Sequence, residues 1–386
     1  MTARRVVIAG SLAQKPHQGG FAWVFLQYIL GFQALGWDVL FVDRLEPDMC
    51  VDAAGRACAL EDSENLRSFR RIMAGFGLER SHCLIYDGGE RCIGLTREEV
   101  LAWTRRSSLL LNVMGFLDDE EILDAAPRVA FLDIDPGFPH MWRDLGLADV
   151  FARHDAHVTV GARIGSPDCL IPACGLDWIA TRPPVVLDQW PVVSSSERPF
   201  TTVASWRGAY GPVEYRGSTF GLRVHEFRRH AELPRRSRQS FELALDIHPQ
   251  ETRDLALLRE HHWTLVDPRR VAGDPWAYRA YVQASAAEFA VAKNMYTQTR
   301  SGWFSDRTVC YLASGKPAIV QDTGLDGLYP VGKGLLTFTS LEEAVEGIEE
   351  VSANYERHAE AARSIAEEYF DSRVVLRDLV RNLGVG

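Results

Sequence analysis

Short apolar runs alternate along the chain with longer stretches of helical spacing. RRVVIAG at 4–10 reads as a buried strand, followed by a polar, glycine-containing loop (SLAQKPHQGG, 11–20) and a helix over about 21–35. Gly36 closes that helix, and DVLFVDR at 38–44 predicts the next strand. CLIYDG (83–88), SLLLNVMG (108–115) and RVAFLDID (128–135) predict further buried strands. Between them, TREEVLAWTRR carries Thr96 and Glu99 at capping-box spacing. Such alternation implies a parallel sheet with helices on both faces.

The pattern breaks at RPPVVLDQWPVVSSSERP (182–199), where prolines and a serine triplet predict a linker. It restarts with FTTVASW (200–206), FELALDI (241–247), WTLVD (263–267), EFAVAK (288–293) and PAIVQD (317–322), and ends in a helical tail. The fold class expected is α/β, with two doubly wound, Rossmann-like domains facing across a cleft. The domains are expected at 1–181 and 200–352, with the linker at 182–199 and the closing helices at 353–386. In open parallel sheets ligands bind beyond the carboxyl ends of the strands, so the loops after strands are where chemistry is expected.

Composition narrows the picture. A length of 386 residues suits two domains. The longest apolar run, FAWVFLQYILGF at 21–32, is too short to span a bilayer and contains Gln27, and the N-terminus lacks a leader pattern, so a cytoplasmic protein with no transmembrane segment is expected. The aromatic residues of that run suit either an apolar acceptor pocket or the core. Seven cysteines without a C-x-x-C pair argue for free thiols over a disulfide framework or a zinc site. A net charge of −10 argues against a nucleic-acid partner. RVHEFRRHAELPRRSR at 223–238 is a local basic exception, read as a solvated helix and loop or as a patch that steers an anion toward the cleft.

The stretch GWFSDRTVCYLASGKPAIVQDTG at 302–324 orders a loop, a short helix, a glycine stop and a strand. Ser305 is a natural N-cap for a helix through about residue 314, terminated by Gly315. A helix N-terminus presents free N–H groups and partial positive charge, so it suits a phosphate, although a capped helix with no ligand has the same pattern. Ser301 and Gly302 allow close backbone approach, and Arg300 and Arg307 add charge. Asp306 is unsuited to a phosphate and is expected to bind Arg307, a ribose or a sugar hydroxyl instead.

The order T-R-S-x-x-F, helix, A-S-G-K-P, strand, D-T-G resembles the donor-binding half of glycosyltransferases with the B-type fold, most closely over about 285–351. The resemblance implies an enzyme that moves a sugar, of hexosyl or deoxyhexosyl type, from a nucleotide-sugar to an acceptor hydroxyl. It implies that the diphosphate lies against the helix beginning near Ser305 and the sugar near Asp322, Thr323 and Gly324. It places a basic residue, here Arg207, on the donor phosphates, and it implies that the last helix crosses back to the first domain. It also implies an acceptor-side loop at Gly19 and Gly20, with His17 in the place where some members carry a histidine base. Many retaining members have two glutamates where this chain has Gly302 and Cys310. Asp306 and Lys293 are the available substitutes, and inverting or retaining stereochemistry stays open.

Asp133 and Asp135 form D-x-D at a strand end. In A-type glycosyltransferases such a pair holds a metal, but the two similar halves of this chain favour the B-type fold. Asp135 is then an acid, a base or an acceptor-binding group, with the nearby His140 as an alternative; Asp135 and His17 stand level as candidate bases. No obligatory metal and no cofactor are expected beyond the nucleotide-sugar co-substrate. The acceptor is expected to be a small molecule or glycan. Two rival readings are a nucleotide-sugar epimerase of the same architecture and a non-catalytic nucleotide- or sugar-binding protein.

Overall fold

The structure, a computed structural model, describes residues 4–208, 210–221 and 223–385. The first half forms an eight-stranded sheet from β1 (Arg5–Gly10), β2 (Asp38–Leu45), β3 (His82–Tyr86), β4 (Arg91–Gly94), β5 (Leu109–Val113), β6 (Val129–Asp133), β7 (Ala156–Thr159) and β8 (Trp178–Ala180). Their order is β4-β3-β2-β1-β5-β6-β7-β8, and every pairing is parallel except that of the edge strand β4 with β3. The second half contains β9 (Phe200–Ser205), a hairpin of β10 (Val213–Tyr215) and β11 (Ser218–Phe220), then β12 (Phe241–Asp246), β13 (Thr264–Val266), β14 (Ala287–Ala290), β15 (Ala318–Gln321) and β16 (Leu335–Phe338). Apart from the hairpin they form one parallel sheet of order β13-β12-β9-β14-β15-β16. The expected α/β class with two Rossmann-like sheets is therefore observed.

The central strands are buried on both faces, which is why they read as unbroken apolar runs rather than alternating ones. Thr96 and Glu99 form the anticipated capping box on the helix Arg97–Thr104. The sequence reading did not anticipate β4, β7, β8 or the hairpin. Each has three or four residues, too few to show a period.

The helix Gly19–Ala34 is apolar nearly all round because it is covered on several sides. Its Trp23 donates Nε1–H to the Pro275 carbonyl oxygen at 2.8 Å, and Trp190 of the connecting segment lies 4.9 Å from the Trp23 ring. Gly31 faces Leu376 and Ser372 of the closing helix Ser372–Asn382, where a Cβ would come within 2.6 Å of Leu376 Cδ1. The aromatic residues of this helix are thus largely core. Gly19, at its first position, abuts the second domain: a Cβ there would lie 2.1 Å from the Asp274 carbonyl oxygen.

Candidate functional site between the domains

A cavity of about 640 Å³ opens between the two sheets. Its walls are the segments just past β1, β6, β9, β12, β13 and β14, the carboxyl ends of strands in both sheets. Of the residues singled out in the sequence, His17, Gly20, Asp135, Arg207, Lys293, Ser305, Asp306 and Arg307 line it. Gly19, His140, Arg300, Ser301, Gly302, Asp322, Thr323 and Gly324 are not on its wall.

The donor-side wall is built on the helix Asp306–Ala313. Ser305 is its N-cap, its Oγ accepting from the Arg307 N–H at 3.2 Å, and Gly315 follows the helix with φ +71°. Arg307 does not pair with Asp306, as one sequence expectation had it. Its Nε donates to Glu288 at 2.5 Å and its Nη1 to the Val203 carbonyl at 3.0 Å. Glu288 is fully buried, so Arg307 is the cation that offsets a desolvated carboxylate. Burial works against the charge of Arg307, but Glu288 more than offsets it and holds the guanidinium above its ordinary value. Asp306 makes no ion pair among the described residues, and burial pushes its carboxyl up against the pull of Arg307.

Arg207, in the loop after β9, and Arg223, the first residue of the helix Arg223–Arg229 beyond the hairpin, differ in their commitments. Arg207 is bound by Glu251 and its side chain is 58% exposed. Arg223 lines the cavity with no carboxylate at ion-pair distance among the described residues. Its Nη1 donates to the Ser205 carbonyl at 3.3 Å, and its buried Nε has no partner among the described residues. Burial first, and then the Arg307 guanidinium, bring its pKa down to about 10. With Arg307 offset by Glu288, Arg223 is the cation that leaves a place for an anion in this partly desolvated wall. The sequence signal for Arg223 was its position at the head of the basic run 223–238; nothing local separated it from its neighbours.

The opposite wall separates the D-x-D pair. Asp133 is fully buried, where its Oδ2 accepts from Thr159 Oγ1 at 2.8 Å and lies 3.0 Å from His140 Nε2. His140 is likewise fully buried, with Nδ1 3.0 Å from the Pro172 carbonyl oxygen, so it is a strut beneath the strand end rather than a group facing an acceptor. Asp135 points into the cavity and meets Lys293 Nζ at 2.8 and 3.1 Å, and the Tyr296 hydroxyl also donates to it. Burial acts to raise its pKa, but Lys293 and Tyr296 more than offset this and hold the carboxyl below its usual range. Among the described residues no group of three or more His, Cys, Asp or Glu is placed to hold a metal ion.

His17 projects from the loop after β1, with φ +65° and Nε2 3.7 Å from Glu64 Oε2. Burial, with Arg269 and Arg71 nearby, lowers its pKa from 6.5 and keeps the imidazole neutral at pH 7.

The segment after β15 is tied down by hydrogen bonds. Asp322 Oδ1 accepts from the N–H groups of Gly324 and Leu325, each at 3.0 Å, and the Thr323 hydroxyl donates to the Trp303 carbonyl at 2.6 Å. Arg163 of the first domain donates Nε–H to the Gly324 carbonyl at 2.6 Å and its backbone N–H to the Ser301 carbonyl at 3.0 Å. Ser301, Gly302 and residues 322–324 therefore sit in a joint between the domains, with Arg300 at its rim 3.9 Å from Asp322.

Among curated proteins none matches by sequence. Among solved structures, an alpha-glucosyltransferase in complex with UDP-glucose and DNA containing an abasic site is similar over 99% of both chains, at TM-score 0.60 and 13% identity. An Anabaena protein, HepE, in complex with UDP and glucose is similar over 99% of both chains, at TM-score 0.54 and 12% identity. Sucrose-phosphate synthase from Thermosynechococcus elongatus matches 98% of this chain and 99% of its own, at TM-score 0.53 and 12% identity.

These structures correct the expectation that nucleic acid is no partner, which rested on the net charge of −10. The alpha-glucosyltransferase has been captured in complex with several DNAs on the same fold, so the inference from charge does not stand. Net charge is a sum over the whole surface, whereas a cleft takes its field from the groups that line it. Here those are Arg207, Arg223, Arg269, Lys293 and Arg307 together with Asp135, Asp246, Asp267 and Asp306. No helix among the described residues is long and apolar enough to cross a membrane. Residues 228–379 match the Glycosyl transferase-like family, and the whole chain has the two-domain B-type glycosyltransferase fold.

Proposed function

We propose that the interdomain cavity binds a nucleotide-sugar and that the protein transfers the sugar to an acceptor hydroxyl, with a general base and without a metal ion or further cofactor. The observation that carries this reading is Arg223, a cavity-facing cation beside Arg307 with no carboxylate partner among the described residues. An anion suits that cation, and the UDP held by the similar alpha-glucosyltransferase and HepE structures favours a nucleoside diphosphate. Arg223 offsets charge on the leaving diphosphate as the bond between sugar and phosphate breaks, the work a metal does in other transferases. His17 is the base: it lies on the acceptor wall, is neutral at pH 7, and has Glu64 behind it to stabilise the imidazolium formed.

The acceptor is a molecule whose hydroxyl reaches His17; a small molecule, a glycan and a nucleic acid all remain within this reading. The test is nucleotide binding by calorimetry. Arg223→Gln is expected to weaken UDP binding by roughly 1.5–3 kcal/mol, about 10- to 150-fold, because a charge-assisted contact is lost. Unchanged affinity in that variant rejects the assignment of the phosphate site.

A further inference from the structure

Lys293 stands apart from the other cations of the cavity. Arg307 is committed to the fully buried Glu288, which would be stranded without it. Arg207 is held at the outer edge by Glu251. Lys293 follows β14 in the second domain, yet its carboxylate partner, Asp135, follows β6 in the first. Both side chains lie on the cavity wall, 14% and 31% exposed, so the contact is open to whatever enters. Asp135 does not depend on Lys293 alone: the Tyr296 hydroxyl donates to one of its oxygens, and its backbone N–H is fixed on Asp133 at 3.2 Å.

We propose that Asp135 is a displaceable counter-ion, from which the diphosphate of the donor takes Lys293 when it binds. The inference rests on the donor reading above. A diphosphate carries more charge than one carboxylate, and a lysine ammonium on a flexible stem turns from one partner to the other with little rearrangement. Lys293 Nζ also lies 5.4 and 5.7 Å from the Tyr296 and Phe138 rings, which keep it over the cavity as it turns. No covalent bond changes and no proton is transferred in the exchange. It has two consequences. Donor affinity is lowered by competition from Asp135, and donor binding frees a carboxylate on the acceptor wall, where it can accept from the incoming hydroxyl. Asp135 is then a positioning residue whose availability follows donor occupancy.

The experiment is a double-mutant cycle on the full chain, with UDP as the probe and calorimetry as the readout. Lys293→Met is expected to weaken UDP binding by roughly tenfold. Asp135→Asn is expected to tighten it by about three- to tenfold, because Lys293 is no longer contested. In the Lys293→Met background, Asp135→Asn should change affinity by less than about twofold. Melting curves on each variant, with Lys293→Gln as a second substitution, separate binding effects from misfolding. Unchanged or weaker binding in Asp135→Asn overturns the exchange. So does equal tightening in both backgrounds, which would show a general field effect. If the wild-type protein binds neither UDP, ADP nor GDP, the donor reading falls and takes the exchange with it; if the wild type binds and the cycle is flat, only the exchange falls.

Discussion

Arg207 lies in the loop after β9 and Arg223 heads the helix after the hairpin; the sequence favours Arg207, which stands beside a glycine just after a strand. The structure gives Arg207 a carboxylate from the loop after β12, 44 residues further on, and gives Arg223 none among the described residues. That difference is set by long-range partners, so it leaves no local mark. His17 and Asp135, level in the sequence, separate for the same reason: Asp135 acquires a lysine from the other domain, and His17 is partly buried, with two arginines nearby, which keeps it neutral. This yields a prediction on pH. The base form of His17 exists above its pKa, which is lowered from 6.5, so kcat/KM should fall only as pH drops through a midpoint below 6.5. His17→Ala should remove that limb and lower kcat by about 100- to 10,000-fold where chemistry limits turnover. A variant that keeps the acid limb and more than about a tenth of the rate assigns the base elsewhere.

Short elements were read well where a cap or a stop is local. Ser305 and Gly315 bound the helix Asp306–Ala313 as anticipated, because N-capping and a left-handed glycine are decided within a few residues. What the A-S-G-K-P turn does was not legible. Lys316 is buried and donates to the Val193 carbonyl and the Ser195 hydroxyl, fastening the connecting segment instead of a ligand; burial brings its pKa down to about 8. Gly19 teaches the same lesson. It looks like a loop glycine for an acceptor, yet its neighbour is the backbone of Asp274. Gly19→Ala adds a Cβ 2.1 Å from a carbonyl that cannot rotate away. The clash should exceed the roughly 1 kcal/mol of helix propensity gained. The expected result is a lower melting temperature, by about 2–4 °C per kcal/mol lost. A rise in melting temperature would show that the two domains separate easily at this contact.

At the scale of the molecule, the cavity exists because two sheets present their carboxyl ends to one another and are held there by a seam. Arg163 is the main cross-domain cation of that seam at the joint after β15, donating to the carbonyls of Gly324 and Asp326. Arg163→Ala removes two charged hydrogen bonds, and charged bonds contribute about 1.5–3 kcal/mol each. The donor-side cations sit on the second domain alone, so UDP affinity should change little. Turnover should fall, because transfer needs both walls in register. Measuring the dissociation constant and kcat separately checks this; a large loss of UDP affinity would mean that the seam shapes the donor site itself.

The sequence by itself determined the α/β class, most strands of both sheets, and the helix that borders the donor wall. These depend on apolar runs and caps, which are local. It also gave the resemblance to B-type glycosyltransferases through a motif contained in one stretch. Only the tertiary structure decided which polar residues face the cavity and in what state of charge. Asp133 and Asp135 are two residues apart, yet one is buried on His140 and Thr159 while the other meets Lys293 across the domain boundary. That residues 322–324 also form a joint is not written locally, because Arg163 reaches Gly324 from 161 residues away in the chain. Whether an ionisable group is free, paired or neutralised depends on charges brought to it by folding, and the distance along the chain carries almost no information about them.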